Sequence, residues 1–155
     1  MNANQEQAIN RLLEQPDGLG ELAPHFEGSA AIKAELDSLK LGSGDWAACV
    51  RAGLYLRFNF LDESHTISQG IHTVEGSYWH AIMHRREPDY SNSKYWFRKV
   101  GSHPVLKVLP NADPLAFVDL CEEAAGDPAL YKQAVELQRA EWLALFDHCV
   151  ASFDR

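Results

Sequence analysis

The chain has 155 residues, 46% hydrophobic and 23% charged, and its 14 basic residues against 22 acidic ones give a formal net charge of −8. That length suits a single domain with its own core, and the apolar content is too high for a disordered chain. No apolar run approaches the ~20 residues of a membrane-spanning helix. The acidic excess disfavours a phosphate backbone as a partner, so neither nucleic acid nor membrane is expected. Three scattered cysteines without a CxxC pair exclude a disulfide scaffold and a cysteine zinc site. Met1 to Gln7 lack the basic and apolar regions of a secretory signal, and the expected location is the cytoplasm.

In chain order the pattern is helical almost throughout. Asn4 to Gln15 carries Ile9, Leu12 and Leu13 at helical spacing and ends at Pro16-Asp17-Gly18. Ser29 is a candidate N-cap for a helix through Ile32, Leu36 and Leu39 that stops near Gly42-Ser43-Gly44. Asp45 is read as the cap of a long third helix, where Val50, Leu54, Phe58 and Leu61 form one apolar stripe that reaches His65. A break from Gly70 to Gly76 precedes a fourth helix from Ser77 to Glu87, halted by Pro88. Asp89 to Val100 reads as a fifth helix, closed by Gly101 and a His103-Pro104 turn. Asp113-Pro114 and Asp127-Pro128 each combine an acidic N-cap with proline at the first helical position. The expected fold is a single all-α domain over residues 1–155, with about six or seven helices.

The chemistry concentrates between residues 62 and 103. Five of the seven histidines (His65, His72, His80, His84, His103) fall there, with Trp79, Trp96 and a run of tyrosines around them. At ~100° per residue, His80, His84 and Glu87 project from one helical face. Imidazoles at i and i+4 have a chelating spacing, and the carboxylate at i+7 is placed as a further ligand or a general base. If the third and fourth helices pack as an antiparallel pair, His65 joins them, with Asp62 and Gln69 one turn to either side. His65, His80 and His84 are then candidate ligands of a divalent metal, with zinc or iron the natural choices, and with Glu87 they are the candidate catalytic groups.

The same segment supports a reading without a metal. From Arg85 to Lys107 there are six basic residues and two acidic ones, a basic island on an acidic chain. Arg85, Arg86, Lys94 and Arg98 would clamp a phosphate or carboxylate, with Trp79, Tyr95 and Trp96 stacking a ring. Asp89 and Asn92 would meet hydroxyls, and His80 or His84 would act as acid or base. The expected ligand is a small polar or anionic molecule, with hydrolase or lyase chemistry if the protein is an enzyme. A third reading is a non-catalytic interaction module that docks a protein on the basic and aromatic surface of residues 85–99. The bland reading of each residue alone is structural: a hydrogen-bonded core histidine, an intrahelical ion pair, a large core tryptophan. No GxxxxGK[ST], GxGxxG or GxSxG motif is present. Cys49, Cys121 and Cys149 read as buried packing residues, and His148 as a charge suited to a helix C-terminus.

The stretch Gly76-Ser-Tyr-Trp-His-Ala-Ile-Met-His-Arg-Arg-Glu-Pro-Asp-Tyr-Ser-Asn-Ser-Lys-Tyr-Trp-Phe-Arg98, continued by Val100 to Pro104, resembles the signature of a family of small bacterial proteins described only as hypothetical. The resemblance spans about residues 54–104 and implies no reaction, cofactor or partner.

Overall fold

A computed structural model describes residues 1–110 and 112–154. Among these residues there is no strand, and nine α-helices account for the fold, against the six or seven expected. They are α1 (Ala3–Leu13), α2 (Ala30–Ser38), α3 (Asp45–Arg57), α4 (Leu61–Ser68), α5 (Val74–Arg86), α6 (Tyr90–Val100), α7 (Pro104–Val108), α8 (Pro114–Glu123) and α9 (Pro128–Ala151). A single 3₁₀ turn, Ala124–Gly126, joins α8 to α9. No helix is long and apolar enough to cross a membrane among the described residues.

Side-chain oxygens cap most helix starts, where the first backbone N–H groups have no intrahelical acceptor. Ser29, Asp113 and Asp127 do so as their positions predict, and Asp89 does so at α6; Asp45, expected as a cap, is instead the first residue of α3, whose N-cap is Gly44 with no side-chain bond. Thr73 caps α5 by accepting from the Gly76 N–H, so this helix begins three residues before Ser77. The His103-Pro104 turn is a short helix, α7, with the His103 ring itself as N-cap.

The largest departure from expectation is the long third helix, which is two helices with a break at residues 58–60. Asn59 adopts a left-handed backbone, φ +64°, a conformation asparagine tolerates better than most residues. Its amide makes the break pay its own way in hydrogen bonds: Nδ2 donates to Glu21 Oε1 (3.2 Å) and Phe26 O (3.3 Å), and Oδ1 accepts from Arg86 (2.7 Å). Arg86 also donates to Leu56 O (2.6 Å), Gly18 O (2.9 Å) and Glu21 O (3.0 Å). The carbonyls freed at the end of α3 are thus satisfied by the loop from residues 18 to 28 and by one guanidinium. The stripe through Val50 and Leu54 ends with α3, and His65 belongs to a second, shorter helix.

α3, α5 and α9 form the centre of the core, with Trp79 and Trp142 both buried at its heart. Gly53 makes the crossing of α3 and α5 close: a Cβ there would lie 2.7 Å from the Trp79 ring, and the Gly53 carbonyl accepts from Trp142 Nε1 (2.9 Å). Small hydroxyls let the outer helices approach in the same way. Ser64 Oγ donates to Ala52 O (3.0 Å), seating α4 on α3, and Ser93 Oγ donates to Ala81 O (2.7 Å), seating α6 on α5. These two crossings bring α4 and α6 against α5 and so position the histidines.

Candidate functional site

His80 and His84 sit one turn apart on α5, and α4 delivers His65 to them. The ring centroids lie 4.8 Å apart for His65 and His80, 5.3 Å for His65 and His84, and 4.6 Å for His80 and His84. One ring nitrogen from each of the three lies within 4.8 Å of the others. In a tetrahedral zinc site with Zn–N near 2.0–2.1 Å, ligand nitrogens are about 3.4 Å apart, so modest side-chain rotations would close the trio on an ion.

His84 is held by a carboxylate. Its Nδ1 lies 2.6 Å from Glu87 Oε1, with Asp89 Oδ2 at 3.9 Å. An ionised carboxylate only accepts, so Nδ1 is the donor in this contact. A carboxylate holding the remote nitrogen of a metal-binding imidazole is the usual outer-shell arrangement. His80 is the opposite case. It is 4% exposed, and neither ring nitrogen has a hydrogen-bond partner among the described residues. Burial, then His84, His65 and Lys99, push its pKa down to about 4, which keeps the ring neutral with a free lone pair at neutral pH. It stacks on His84 at 20° and on Trp96 at 18°, with 4.2 Å between the His80 and Trp96 centroids. A buried polar group left unpaired costs about 1–3 kcal/mol, so the two bare nitrogens of His80 need a reason.

The remaining candidates are not gathered around these rings. Arg85 and Arg86, expected to clamp an anion, are buried and committed to protein groups. Arg85 forms a two-pronged pair with Glu141 (2.6 and 3.2 Å) and lies over Phe117, while Arg86 holds the break after α3. Two guanidiniums so engaged have no free fork for a ligand. Trp79, expected to stack a ring, is fully buried in the core. Lys94 pairs with Asp119. Asn92 donates twice to Asp89, the N-cap of α6. Arg98 lines a shallow hollow with Tyr90, Ser91, Lys94 and Glu122. Asp62, expected one turn from His65, is exposed and lines a hollow of about 380 Å³ with Arg51, Tyr55, Glu63, Thr66 and Ile67. Gln69 is exposed at the end of α4. Tyr95 is half-exposed, and Lys99 lies over both its ring and that of Trp96.

Two features went unread in the sequence. Glu141, the buried partner of Arg85, lies 56 residues away from it, with no local signal beyond a charge inside the buried face of α9. The second is a triad in which one Glu75 oxygen lies 3.4 Å from both His103 Nε2 and His148 Nε2. It resembles a metal site in outline, but the Val105 N–H donates to His103 Nδ1 (3.2 Å). Nδ1 is therefore bare and Nε2 carries the proton, which leaves that nitrogen no lone pair for a metal. Cys49, Cys121 and Cys149 are buried as expected, and burial pushes the Cys121 thiol up to about 11, away from thiolate chemistry. Compared with family models, curated proteins and solved structures, the chain has no match in any of the three.

Proposed function

We propose that this chain binds a divalent transition metal of the zinc class through His65, His80 and His84, with Glu87 fixing the orientation and tautomer of His84. The observation that carries this reading is His80: a 96%-enclosed neutral imidazole, both nitrogens without partners, set among two further imidazoles from two helices. Imidazole is a preferred ligand for zinc, copper, nickel and iron, and three neutral donors leave the full charge of the ion uncompensated. Such an ion acidifies a bound water and polarises a bound oxygen, which suits hydrolase or lyase chemistry on a small polar or anionic molecule. His65 is only half-buried, whereas His80 and His84 are buried. Glu87 and Asp89, close behind His84, supply nearby carboxylates for proton handling.

The test is metal uptake by protein first stripped with a chelator. One equivalent of zinc or cobalt should be retained after dialysis, and cobalt should give a tetrahedral or five-coordinate visible spectrum. His80→Leu should retain none while keeping its helical circular dichroism. Wild-type protein that takes up no ion at micromolar concentration, or a His80→Leu variant that retains as much as wild type, would sink the proposal. The docking reading rests on a narrower base, since the exposed basic and aromatic surface reduces to Tyr95, Arg98 and Lys99.

A further inference from the structure

His103 stands where three helices meet. It is 3% exposed and serves as the N-cap of α7, its Nδ1 accepting the Val105 N–H at 3.2 Å. Its other nitrogen faces Glu75 of α5 at 3.4 Å, and His148 of α9 brings Nε2 to the same carboxylate oxygen. The His103 and His148 rings are 4.9 Å apart, and Tyr78 of α5 covers His103 edge-on at 5.5 Å. The titratable groups around it are thus Glu75 and Tyr78 from α5 and His148 from α9. Behind Glu75 lies the buried Cys49 thiol of α3, while Lys107 on α7 itself is exposed.

An imidazole ring nitrogen accepts a hydrogen bond only when it carries no proton. If His103 became an imidazolium, the Val105 N–H would meet another N–H head-on, and the cap would turn from attraction to repulsion. Little else holds α7. It has five residues, of which only Val105 and Leu106 are buried, and Val108 is 74% exposed. We infer that His103 is a proton-operated latch, whose protonation uncaps α7 and releases this segment from α5 and α9 while the core stays folded. Nothing in this inference depends on a metal at the other histidines.

The sign follows from the environment. Burial sets the His103 pKa below its ordinary 6.5, against a smaller upward pull from Glu75. A group whose pKa is depressed by docking supports the docked state fully above pH 6.5 and withdraws that support as pH falls through the lower, docked value. Burial raises the Glu75 carboxyl, but its backbone, Thr73 and His103 hydrogen bonds outweigh that and bring it below the usual range, so it stays charged through this window.

The experiment is amide hydrogen exchange across residues 105–108 between pH 7.5 and 5.0, expressed as protection factors so that the intrinsic pH dependence cancels. Protection should fall at least about 10-fold in the wild type, while the α9 amides around Trp142 hold theirs. His103→Asn supplies a strong N-cap that does not titrate, and its α7 protection should stay flat over the same range. Wild-type protection that does not fall, an equal fall in His103→Asn, or an equal fall across α9 would each overturn the latch.

Discussion

Among the described residues three groups of three histidine or acidic side chains lie close together, and two of these, which share no residue, are similar in their spacing and opposite in how their nitrogens are used. At His65, His80 and His84 no acidic side chain lies among the three imidazoles, and the nearest carboxylate, Glu87, holds His84 at Nδ1. At Glu75, His103 and His148 the carboxylate sits inside the group, between the two rings, and a backbone N–H fixes the His103 tautomer. The second group is held together by its own contacts, which fasten α5, α7 and α9. The first has no carboxylate within it, and both nitrogens of His80 lack a hydrogen-bond partner among the described residues. Distance alone does not separate a ligand site from a fastening; the location of the protons does.

That contrast can be broken most directly by removing one imidazole from each group. His80→Ala should weaken zinc or cobalt binding more than about 100-fold, whereas His148→Ala should leave it within a factor of about 2, measured by competition with a chromophoric chelator. Comparable losses in both variants would erase the distinction. Glu87→Gln should cost about 10-fold in metal affinity with the fold unchanged, because only the partner of His84 Nδ1 is altered. Replacing His80 by leucine should raise apo-protein stability by about 1 kcal/mol in chemical denaturation, since two unpaired buried nitrogens disappear. A destabilised His80→Leu would mean that the ring is held by packing and not kept for a ligand. Glu75→Gln should give the smallest effect, a loss of about 0.5–1 kcal/mol at neutral pH with no change in metal binding.

The sequence carried the first group well because its information is local. His80, His84 and Glu87 share one turn-spaced face of α5, and any helix through those residues brings them together. His65 was placed beside them by extending an apolar stripe along one straight helix, yet the stripe ends with α3. It arrives there because Ser64 seats a separate α4 on α3, through a different geometry than the one expected. Asn59 was the available sign of the break, since asparagine is the non-glycine residue most at ease in a left-handed conformation. The arginines show the other limit. Whether a basic residue offers its fork to a ligand or to the protein depends on partners such as Glu141 and the Leu56 and Gly18 carbonyls, which lie 30 to 68 positions away. No local pattern on α5 encodes those partners. His148 lies in the last turn of α9, where the sequence puts it, but its contact with Glu75 crosses the fold and leaves no trace in spacing.

The kink between α3 and α4 ties the imidazoles to a part of the chain that never touches them. The Arg86 guanidinium grips the Gly18 carbonyl with one nitrogen, which also reaches Asn59, and a methyl group on Gly18 would stand 2.2 Å from the Asn59 amide. An inherited or engineered change as small as Gly18→Ala would therefore jolt the hinge that aims α4, swinging His65 off target while its two companions on α5 stay in register. A surveyor of harmful substitutions would find that defect in a loop near the amino terminus and have no neighbour to blame.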